Sequence, residues 1–298
     1  MWKKLGLIYK PLENNDKLIT HASNPLVLEL GHSLFRVFYN GRDSENKSSI
    51  SFFDFDMDTF KVSNDQGKIV ESFGEAKSYD SHGISNGCFL EKNDELFILT
   101  MAWQIEDNSH WRGDIGAIKL NATLDEGRAN KAPFLASDTK IDLVSLSYPW
   151  VLKEDGIYKM WYGSTIDWTS ENGEMIHVIN YAESQDAKNW DRKGLAIPYE
   201  IGKAQAFSRP TVLKVGSIYH MWYSYRSGDG TKYKIGYASS PDGKDWTRED
   251  EKSGITASDE GWDSEMICYP CVFEYQGAYF MMYNGNNHGR SGIGLAKL

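Results

Sequence analysis

The sequence predicts an all-β protein, a five-bladed β-propeller, and three observations lead to this fold class. An aromatic segment recurs about every sixty residues, most clearly at 158–163 (YKMWYG) and 219–224 (YHMWYS). Each copy follows a proline that opens an apolar run, and Pro149, Pro210 and Pro270 lie 61 and 60 residues apart. The runs are short, rich in β-branched and aromatic residues and separated by Gly, Asn, Asp and Ser, which is typical of antiparallel strands joined by hairpins. Four such strands per repeat of this length make one propeller blade.

The repeat can be followed through the whole chain, and it predicts five blades in one domain with almost no helix. The first four blades are expected at 21–65, 80–125, 143–197 and 206–250. The fifth copy, 265–298, ends after its third strand. The opening residues (WKKLGLI) match the end of the third copy (WDRKGLAI), so residues 2–9 are predicted to supply the missing strand. Such closure leaves no exposed sheet edge at the seam.

Composition and charge narrow the class of protein and its partners. The chain is 41% hydrophobic and 25% charged, which is enough to bury a large core, and its apolar runs are shorter than the roughly 18–20 residues of a membrane span. We find no signal-peptide pattern and therefore expect a cytoplasmic protein without membrane insertion. The net charge of −10 argues against a nucleic-acid partner. A monomer is the default expectation for a propeller, although a dimer stays possible.

The aromatic content favours a small-molecule carbohydrate as the ligand. Ten Trp and seventeen Tyr can supply apolar platforms for sugar rings, while Asp, Asn, Glu and Arg bind hydroxyl groups. Packing between blades is the competing interpretation for Trp161, Trp222 and the other repeated tryptophans. Cys88, Cys268 and Cys271 are expected to be buried packing residues, since their number is odd and their spacing fits no zinc site.

Candidate site residues lie just before the first strand of each blade, because these strands begin at one end of the central channel. Glu265 and Asp80 are the predicted catalytic pair, as a general acid or base partly desolvated by aromatic neighbours. Arg209 is predicted to clamp a carboxylate or phosphate. The remaining predicted substrate-binding residues are His21, His82, Tyr148, Trp150, Asp263 and Tyr269.

Beyond these residues, the chain resembles a known superfamily. The five repeats and the segment 235–246 (IGYASSPDGKDW) are similar to the propellers of glycoside hydrolase families 32, 43, 62, 68 and 130. Segment 261–270 (GWDSEMICYP), with 282–286 (MYNGN), more specifically resembles propeller proteins of surface-polysaccharide biosynthesis and the propeller part of plant glucosamine inositolphosphorylceramide transferases. The resemblance implies a glycoside hydrolase-like enzyme acting on a glycoside, sugar phosphate or nucleotide sugar in the cytoplasm.

The chain departs from the family 43 pattern at the catalytic positions. That family places an Asp base before the first inner strand and a Glu acid in the third blade, where this chain has 21–24 (HASN) and 145–148 (SLSY). Two alternatives to hydrolysis therefore stay open: a non-catalytic carbohydrate-binding or assembly module, and a phosphorylase that uses inorganic phosphate. No cofactor or metal is expected from the spacing of ligands. The resemblance leaves room for a channel calcium ion near His82 or His177.

Overall fold

A computed structural model describes residues 1–12, 15–106, 109–228 and 232–298. The all-β class is confirmed. Within these residues the regular elements are strands, apart from one 3-10 turn at Asp250–Ser253 and one helical turn, α1, at Asn286–Gly289. Again within the described residues, no helix is long and apolar enough to span a bilayer.

The strands form five consecutive antiparallel units, each with its innermost strand first. The first unit contains β2 (Thr20–Gly31), β3 (Leu34–Arg42), β4 (Ser48–Asp56), β5 (Lys61–Ser63) and β6 (Ile69–Glu71), the last two both pairing with β4. The second unit contains β7 (Gly83–Lys92), β8 (Glu95–Ile105), β9 (Trp111–Leu120) and β10 (Gly127–Ala129). The third unit contains β11 (Ser145–Glu154), β12 (Ile157–Asp167), β13 (Ile176–Ser184) and β14 (Asp191–Leu195).

The last two units repeat this order, and the chain's first strand completes the fifth. The fourth unit contains β15 (Ala206–Val215), β16 (Ile218–Arg226), β17 (Lys234–Ser240) and β18 (Thr247–Arg248). The fifth unit contains β19 (Cys268–Tyr275), β20 (Ala278–Asn284), β21 (Ile293–Lys297) and β1 (Lys3–Tyr9). The first strands contact one another in the circular order β2, β7, β11, β15, β19 and back to β2. This circle defines a central channel.

The predicted closure by the N-terminal strand is confirmed. β1 pairs antiparallel with β21, from Lys3 opposite Lys297 to Tyr9 opposite Ile293. Apolar packing reinforces this pairing, because the buried Trp2 ring lies edge-on to Trp222 of the fourth unit at 5.8 Å. The seam therefore joins both ends of the described chain to the body of the ring.

The repeated aromatic residues are structural. Trp161 is fully buried and donates its indole N–H to the carbonyl of Gly243 in the next unit at 2.8 Å, as the inter-blade packing interpretation predicted. The repeat tyrosines bury their hydroxyl groups against carboxylates: Tyr162 donates to Asp142 and Tyr283 donates to Asp263, at 2.8 and 2.9 Å. A buried hydroxyl without an acceptor would be costly, so these pairs fix the second strands in place. All three cysteines are buried and free, as predicted.

Candidate functional site

Four inner strands share an unusual backbone conformation at the residue before the repeat proline. Asn24, Tyr148, Arg209 and Tyr269 have φ values between 34° and 55°, in the left-handed region that residues other than glycine rarely occupy. Strand pairing is interrupted at the same step in each of these strands, as in a β-bulge. Bulges redirect side chains, and backbone strain concentrates at functional sites. The centre of the ring is therefore the candidate site.

Arg209 fills the core of the channel and does not face a ligand cavity. Its side chain is buried, at 1% exposure, and its guanidinium donates hydrogen bonds to four main-chain carbonyls of three other units. The acceptors are Asn86 (3.3 Å), Tyr269 (3.1 Å), Pro270 (2.9 Å) and Pro25 (2.5 Å). The prediction that Arg209 clamps an anionic ligand is corrected by this placement, since its donors are used inside the protein. Arg209 instead ties the inner strands together.

A cavity of about 400 Å³ opens at the end of the channel where the inner strands begin. Its lining is basic, aromatic and hydroxyl-bearing, and among the described lining residues Glu45 at the rim is the one carboxylate. The basic lining residues are Arg42, His82, His177, Arg226 and His288. The aromatic lining residues are Trp103, Trp111, Tyr148, Phe207, Tyr233 and Tyr269, and the hydroxyl groups come from Ser85, Ser147, Ser208 and the tyrosines.

Antiparallel pairing explains why these residues meet. The second strand of a unit ends beside the start of its first strand, so residues at both positions reach the same end of the channel. Arg42 ends β3, Arg226 ends β16 and Trp103 lies near the end of β8, and all three line the cavity. Sequence reasoning considered only the starts of the inner strands and missed these three residues. The sequence does contain a signal for them, because each aromatic second strand has polar or aromatic residues near its end.

Tyrosine rings form one wall of the cavity. Tyr148 lies 5.8 Å from Tyr269, which in turn lies 6.3 Å from Tyr233, measured between ring centroids. His288 packs against Tyr233 at 5.7 Å. Burial raises the pKa of Tyr233 to about 12 and also raises the pKa of Tyr148 and of Tyr269. The phenols therefore stay neutral at physiological pH and can donate hydrogen bonds to a ligand.

The two cavity arginines differ in how their charges are balanced. Arg226 makes an ion pair with Glu174 at 2.9 Å and lies over the Tyr233 ring at 4.9 Å. Arg42 donates to the Asn46 side-chain oxygen at 2.7 Å and has no carboxylate partner within the described part of the chain. In a protein with a net charge of −10, an arginine in a cleft without a carboxylate partner favours an anionic ligand.

Two histidines beside these arginines are held in the neutral form. The pKa of His288 is lowered to about 4 by burial and then by the charges of Arg226, Arg42 and Lys232. The pKa of His21, next to the cavity, is likewise lowered to about 4 by burial and then by Arg42, with further contributions from His288 and another arginine. Both imidazoles therefore resist protonation in the folded protein.

This arrangement predicts a loss of stability in mild acid. The unfolded chain binds protons at these histidines near pH 6.5 and the folded protein only near pH 4, so their contribution is complete above pH 6.5 and is lost as the pH falls towards 4. We expect a decrease of about 1–2 kcal/mol per histidine by about pH 5, measured by urea denaturation. His288→Gln should flatten the pH dependence, whereas the exposed His32→Gln should not. An unchanged slope in His288→Gln would contradict the assignment.

The structure brings some predicted site residues together at the cavity. Tyr148, Tyr269 and His82 line it. The His82 ring accepts a hydrogen bond from the Ile105 N–H at 3.2 Å and stands beside the Trp103 ring. Their roles toward a ligand stay predictions. His21 lies next to the lining and contacts the Thr20 hydroxyl at 2.8 Å.

Other predicted residues lie elsewhere, and the predicted catalytic pair is not assembled. Glu265 is about half exposed and makes a surface ion pair with Lys232 at 2.8 Å. Asp80 is buried in a turn, where it accepts a hydrogen bond from the Ser78 hydroxyl at 2.5 Å. Neither carboxylate is among the described lining residues of the cavity. A carboxylate pair needs both groups at one bond, so Glu265 and Asp80 do not form it here.

Asp263 and Trp150 have structural contacts that replace their predicted role in binding. Asp263 is buried between the Tyr283 hydroxyl and the Lys4 ammonium group, which lies 2.6 Å away, so it locks β1 into the fifth unit. Trp150 donates its indole N–H to the carbonyl of Val212 at 2.9 Å and packs between the third and fourth units.

Metal binding gains no geometric support from the described residues, which contain no group of three or more His, Cys, Asp or Glu side chains arranged to hold an ion. His177, which lines the cavity, uses both ring nitrogens in hydrogen bonds to Ser147 and Thr165. His82 uses one ring nitrogen in contacts with Ser81 and Ile105. The possible calcium site therefore stays a prediction without a ligand set.

Comparison with solved structures shows the fold. The chain superposes over 99% of its length on a glycoside hydrolase, with a TM-score of 0.77, 15% identity and 90% of that chain covered. An endo-arabinase from Bacteroides thetaiotaomicron VPI-5482 gives a TM-score of 0.67 at 13% identity, with 98% and 97% of the two chains covered. A structure from the GH130 family of mannoside phosphorylases, which contains glycoside hydrolases that target β-1,2 mannosidic linkages, gives a TM-score of 0.71 at 15% identity, with 100% and 93% of the two chains covered. The fold is that of the glycoside hydrolase β-propellers.

Comparison of sequences identifies the family. No family model matches the chain. Two curated proteins of Mycobacterium tuberculosis do match it: the uncharacterized protein Rv1502 of strain H37Rv and the uncharacterized protein MT1551 of strain CDC 1551 / Oshkosh. Each is 35% identical over 299 aligned positions that cover 100% of this chain and 99% of the relative. The chain therefore belongs to the protein family that contains Rv1502 and MT1551 of Mycobacterium tuberculosis.

Proposed function

We propose that the central cavity binds a sugar that carries a phosphate or carboxylate group, such as a sugar phosphate, a nucleotide sugar or a uronic acid. The observation that carries the proposal is Arg42, a cavity guanidinium without a carboxylate partner in the described chain. Arginine binds phosphate and carboxylate groups through two parallel hydrogen bonds. Arg226, His82 and His288 add donors on the same lining.

The aromatic wall supports the sugar part of the proposal. A pyranose ring buries its apolar face against tyrosine or tryptophan rings, and Tyr148, Tyr269 and Trp103 present such surfaces. Ser85 and Ser208 lie on the same lining, and their hydroxyl groups would exchange hydrogen bonds with sugar hydroxyls. A cavity of about 400 Å³ is large enough for a monosaccharide with one anionic substituent.

The residues of the cavity disfavour a hydrolytic mechanism with two carboxylates. Such mechanisms place the two groups roughly 5–9.5 Å apart across the scissile bond, whereas Glu45 is the one carboxylate on the described lining. A phosphorolytic enzyme needs one acid and a site for inorganic phosphate. Arg42 and Arg226 would supply the phosphate site, but the exposed Glu45 pairs with Lys47, which lowers the pKa of its carboxyl group and makes it a poor general acid. Phosphorolysis is therefore a second candidate that rests on the arginines alone. A role in cytoplasmic surface-polysaccharide metabolism, acting on such anionic sugars, is part of the proposal.

Thermal stabilisation by a ligand panel tests the proposal. The panel contains sugar phosphates, nucleotide sugars, uronic acids, neutral glycosides and inorganic phosphate. An anionic sugar at about a hundred times its Kd should stabilise the protein by roughly 2.7 kcal/mol. Stabilisation by inorganic phosphate only together with a glycoside would select phosphorolysis.

Two arginine variants make the result specific. Arg42→Ala should lower the affinity for the anionic sugar about tenfold or more, because a charged hydrogen bond to the ligand is lost. Arg128→Ala, an exposed arginine on β10, is the control and should bind as the unmodified protein does. Equal stabilisation by neutral glycosides, unaffected by Arg42→Ala, would reject the anionic ligand and favour a neutral carbohydrate-binding module.

A further inference from the structure

A chain of three hydrogen-bonded side chains lies in the wall of the cavity, on the third unit. The Ser147 hydroxyl is 2.7 Å from Nε2 of His177, and the Thr165 hydroxyl is 2.7 Å from Nδ1 of the same ring. Ser147 is on β11, Thr165 on β12 and His177 on β13. Ser147 and His177 are buried at 1% and 2% exposure, yet both line the cavity. A serine, an imidazole and an orienting group in this order form the constellation of an activated nucleophile.

β12, the strand between Ser147 and His177, carries a glycine where these two side chains contact each other. Gly163 on β12 lies opposite Ser147 on one side and opposite Ile179, two residues from His177, on the other. A Cβ atom at Gly163 would collide with the Ser147 hydroxyl and with the His177 ring. The absence of a side chain at this position is therefore required for the Ser147–His177 hydrogen bond.

The repeat itself does not require this constellation. Ser147 is two residues before its proline, and Ser208 stands at the matching position of the fourth unit. There the positions that correspond to Thr165 and His177 are taken by Arg226 and Tyr233, which stack on each other. The fourth unit therefore folds with an arginine and a tyrosine at these two positions. Packing between blades does not by itself require a serine that is hydrogen-bonded to a histidine in the third unit.

We propose that Ser147, His177 and Thr165 form a serine-nucleophile site that hydrolyses an acyl ester on a hydroxyl group of a sugar bound in the cavity. The choice of a sugar ester rests on the proposed function, whereas the nucleophile does not. In this site the Thr165 hydroxyl accepts a hydrogen bond from Nδ1–H, which leaves the lone pair of Nε2 to take the proton of Ser147. Burial and the nearby Arg226 charge lower the pKa of His177 to about 3, so the ring is neutral but a weak base, and acyl transfer to Ser147 is expected to be slow.

The reaction balances with water as the only co-reactant. The Ser147 oxygen attacks the ester carbonyl carbon while its proton moves to Nε2 of His177. The sugar oxygen then leaves with that proton, and an acyl group stays on Ser147. Water attacks this acyl-serine, gives a proton to His177 and releases the carboxylic acid, and the proton returns to Ser147. Arg226 lies on the same cavity lining, and we assign it to stabilise the oxyanion.

Acetyl transfer from p-nitrophenyl acetate to the full-length protein tests the site. We expect release of p-nitrophenol and, after acid quenching, an acetyl group on the peptide that contains Ser147. Ser147→Ala should abolish the acetylated peptide, and His177→Gln should slow p-nitrophenol release about 100-fold. Ser164→Ala is the control, since this buried β12 hydroxyl has no partner among the described residues and should leave the rate unchanged.

Three outcomes would overturn the proposal: no acetyl group on Ser147 of the unmodified protein, an unchanged rate in Ser147→Ala, or an equal loss in Ser164→Ala. The acetylated Ser147 peptide is detected in the unmodified protein after acid quenching. This measurement needs no variant, so a folding defect in Ser147→Ala cannot hide the result. Binding of anionic sugars is measured separately, by thermal stabilisation of the unmodified protein. Acetylation of Ser147 in a protein that no anionic sugar stabilises would reject the proposed ligand and leave the nucleophile.

Discussion

Replacing Arg209 by alanine is expected to lower the free energy of unfolding by about 3–5 kcal/mol. The substitution removes the common donor of four buried carbonyl groups, those of Asn86, Tyr269, Pro270 and Pro25, of which Pro270 keeps a hydrogen bond from the Thr211 hydroxyl. An unsatisfied buried polar group costs about 1–3 kcal/mol, and partial entry of water reduces the sum. The loss affects strands of three units at once. Urea denaturation followed by tryptophan fluorescence measures it.

Two further variants separate the structural role of Arg209 from a role in binding. Arg209→Lys keeps the charge but lacks the planar fork that reaches several carbonyls, so it should recover only part of the lost stability. Arg42→Ala, on the cavity lining, should change the free energy of unfolding by less than about 1 kcal/mol. An Arg209→Ala protein that is as stable as the unmodified one but has lost ligand binding would restore the original ligand-clamp hypothesis.

The repeat in the sequence was sufficient to predict the fold, because it encodes local physical requirements. Alternating aromatic and β-branched residues between turn residues specify short antiparallel strands, and the matching segment at the N-terminus specifies the strand that closes the fifth unit. Both features depend on spacing along the chain. They are visible without knowledge of any side-chain direction.

Side-chain directions at the bulge before the repeat proline could not be predicted from the sequence, and Arg209 was predicted wrongly. In a regular strand, side chains alternate between faces, and one extra residue reverses the direction of those that follow. The left-handed conformations of Tyr148, Arg209 and Tyr269 are a property of the closed ring and are not apparent from residue type. Tyr148 and Tyr269 share this conformation and line the cavity, whereas the Arg209 guanidinium is held by carbonyl groups of three other units.

Loop residues could not be placed by counting from a proline. Glu265 was expected in the channel because it precedes Pro270 by five residues, yet it pairs with Lys232 at the surface. Loops do not keep the alternation of strands, so distance along the sequence does not fix direction. Arg42 and Arg226 were more predictable, since they end paired second strands whose register follows from the repeat.

The second large effect is expected at the seam of the ring, for Trp2→Ala. Trp2 is 7% exposed, packs edge-on against Trp222 and donates its main-chain N–H to the Gly254 carbonyl at 3.0 Å. Truncating a buried tryptophan typically costs 3–5 kcal/mol through lost burial and the cavity that remains. We therefore expect a decrease of about 3–5 kcal/mol in the free energy of unfolding by urea denaturation. Lys3→Ala, at an exposed position of the same strand, is the control and should change it by less than about 0.5 kcal/mol.

Deleting residues 1–9 extends the same argument to the whole closing strand. The deletion removes the partner of β21 and the Lys4 ion pair to Asp263, so it leaves an unpaired sheet edge and a buried carboxylate beside Tyr283. An open seam should abolish cooperative unfolding and promote association of the protein. A truncated protein that unfolds cooperatively at the same urea concentration would show that the ring holds without β1. The ion pair and Trp2 would then be accessory contacts, and the cavity geometry would depend on the five inner strands and Arg209 alone.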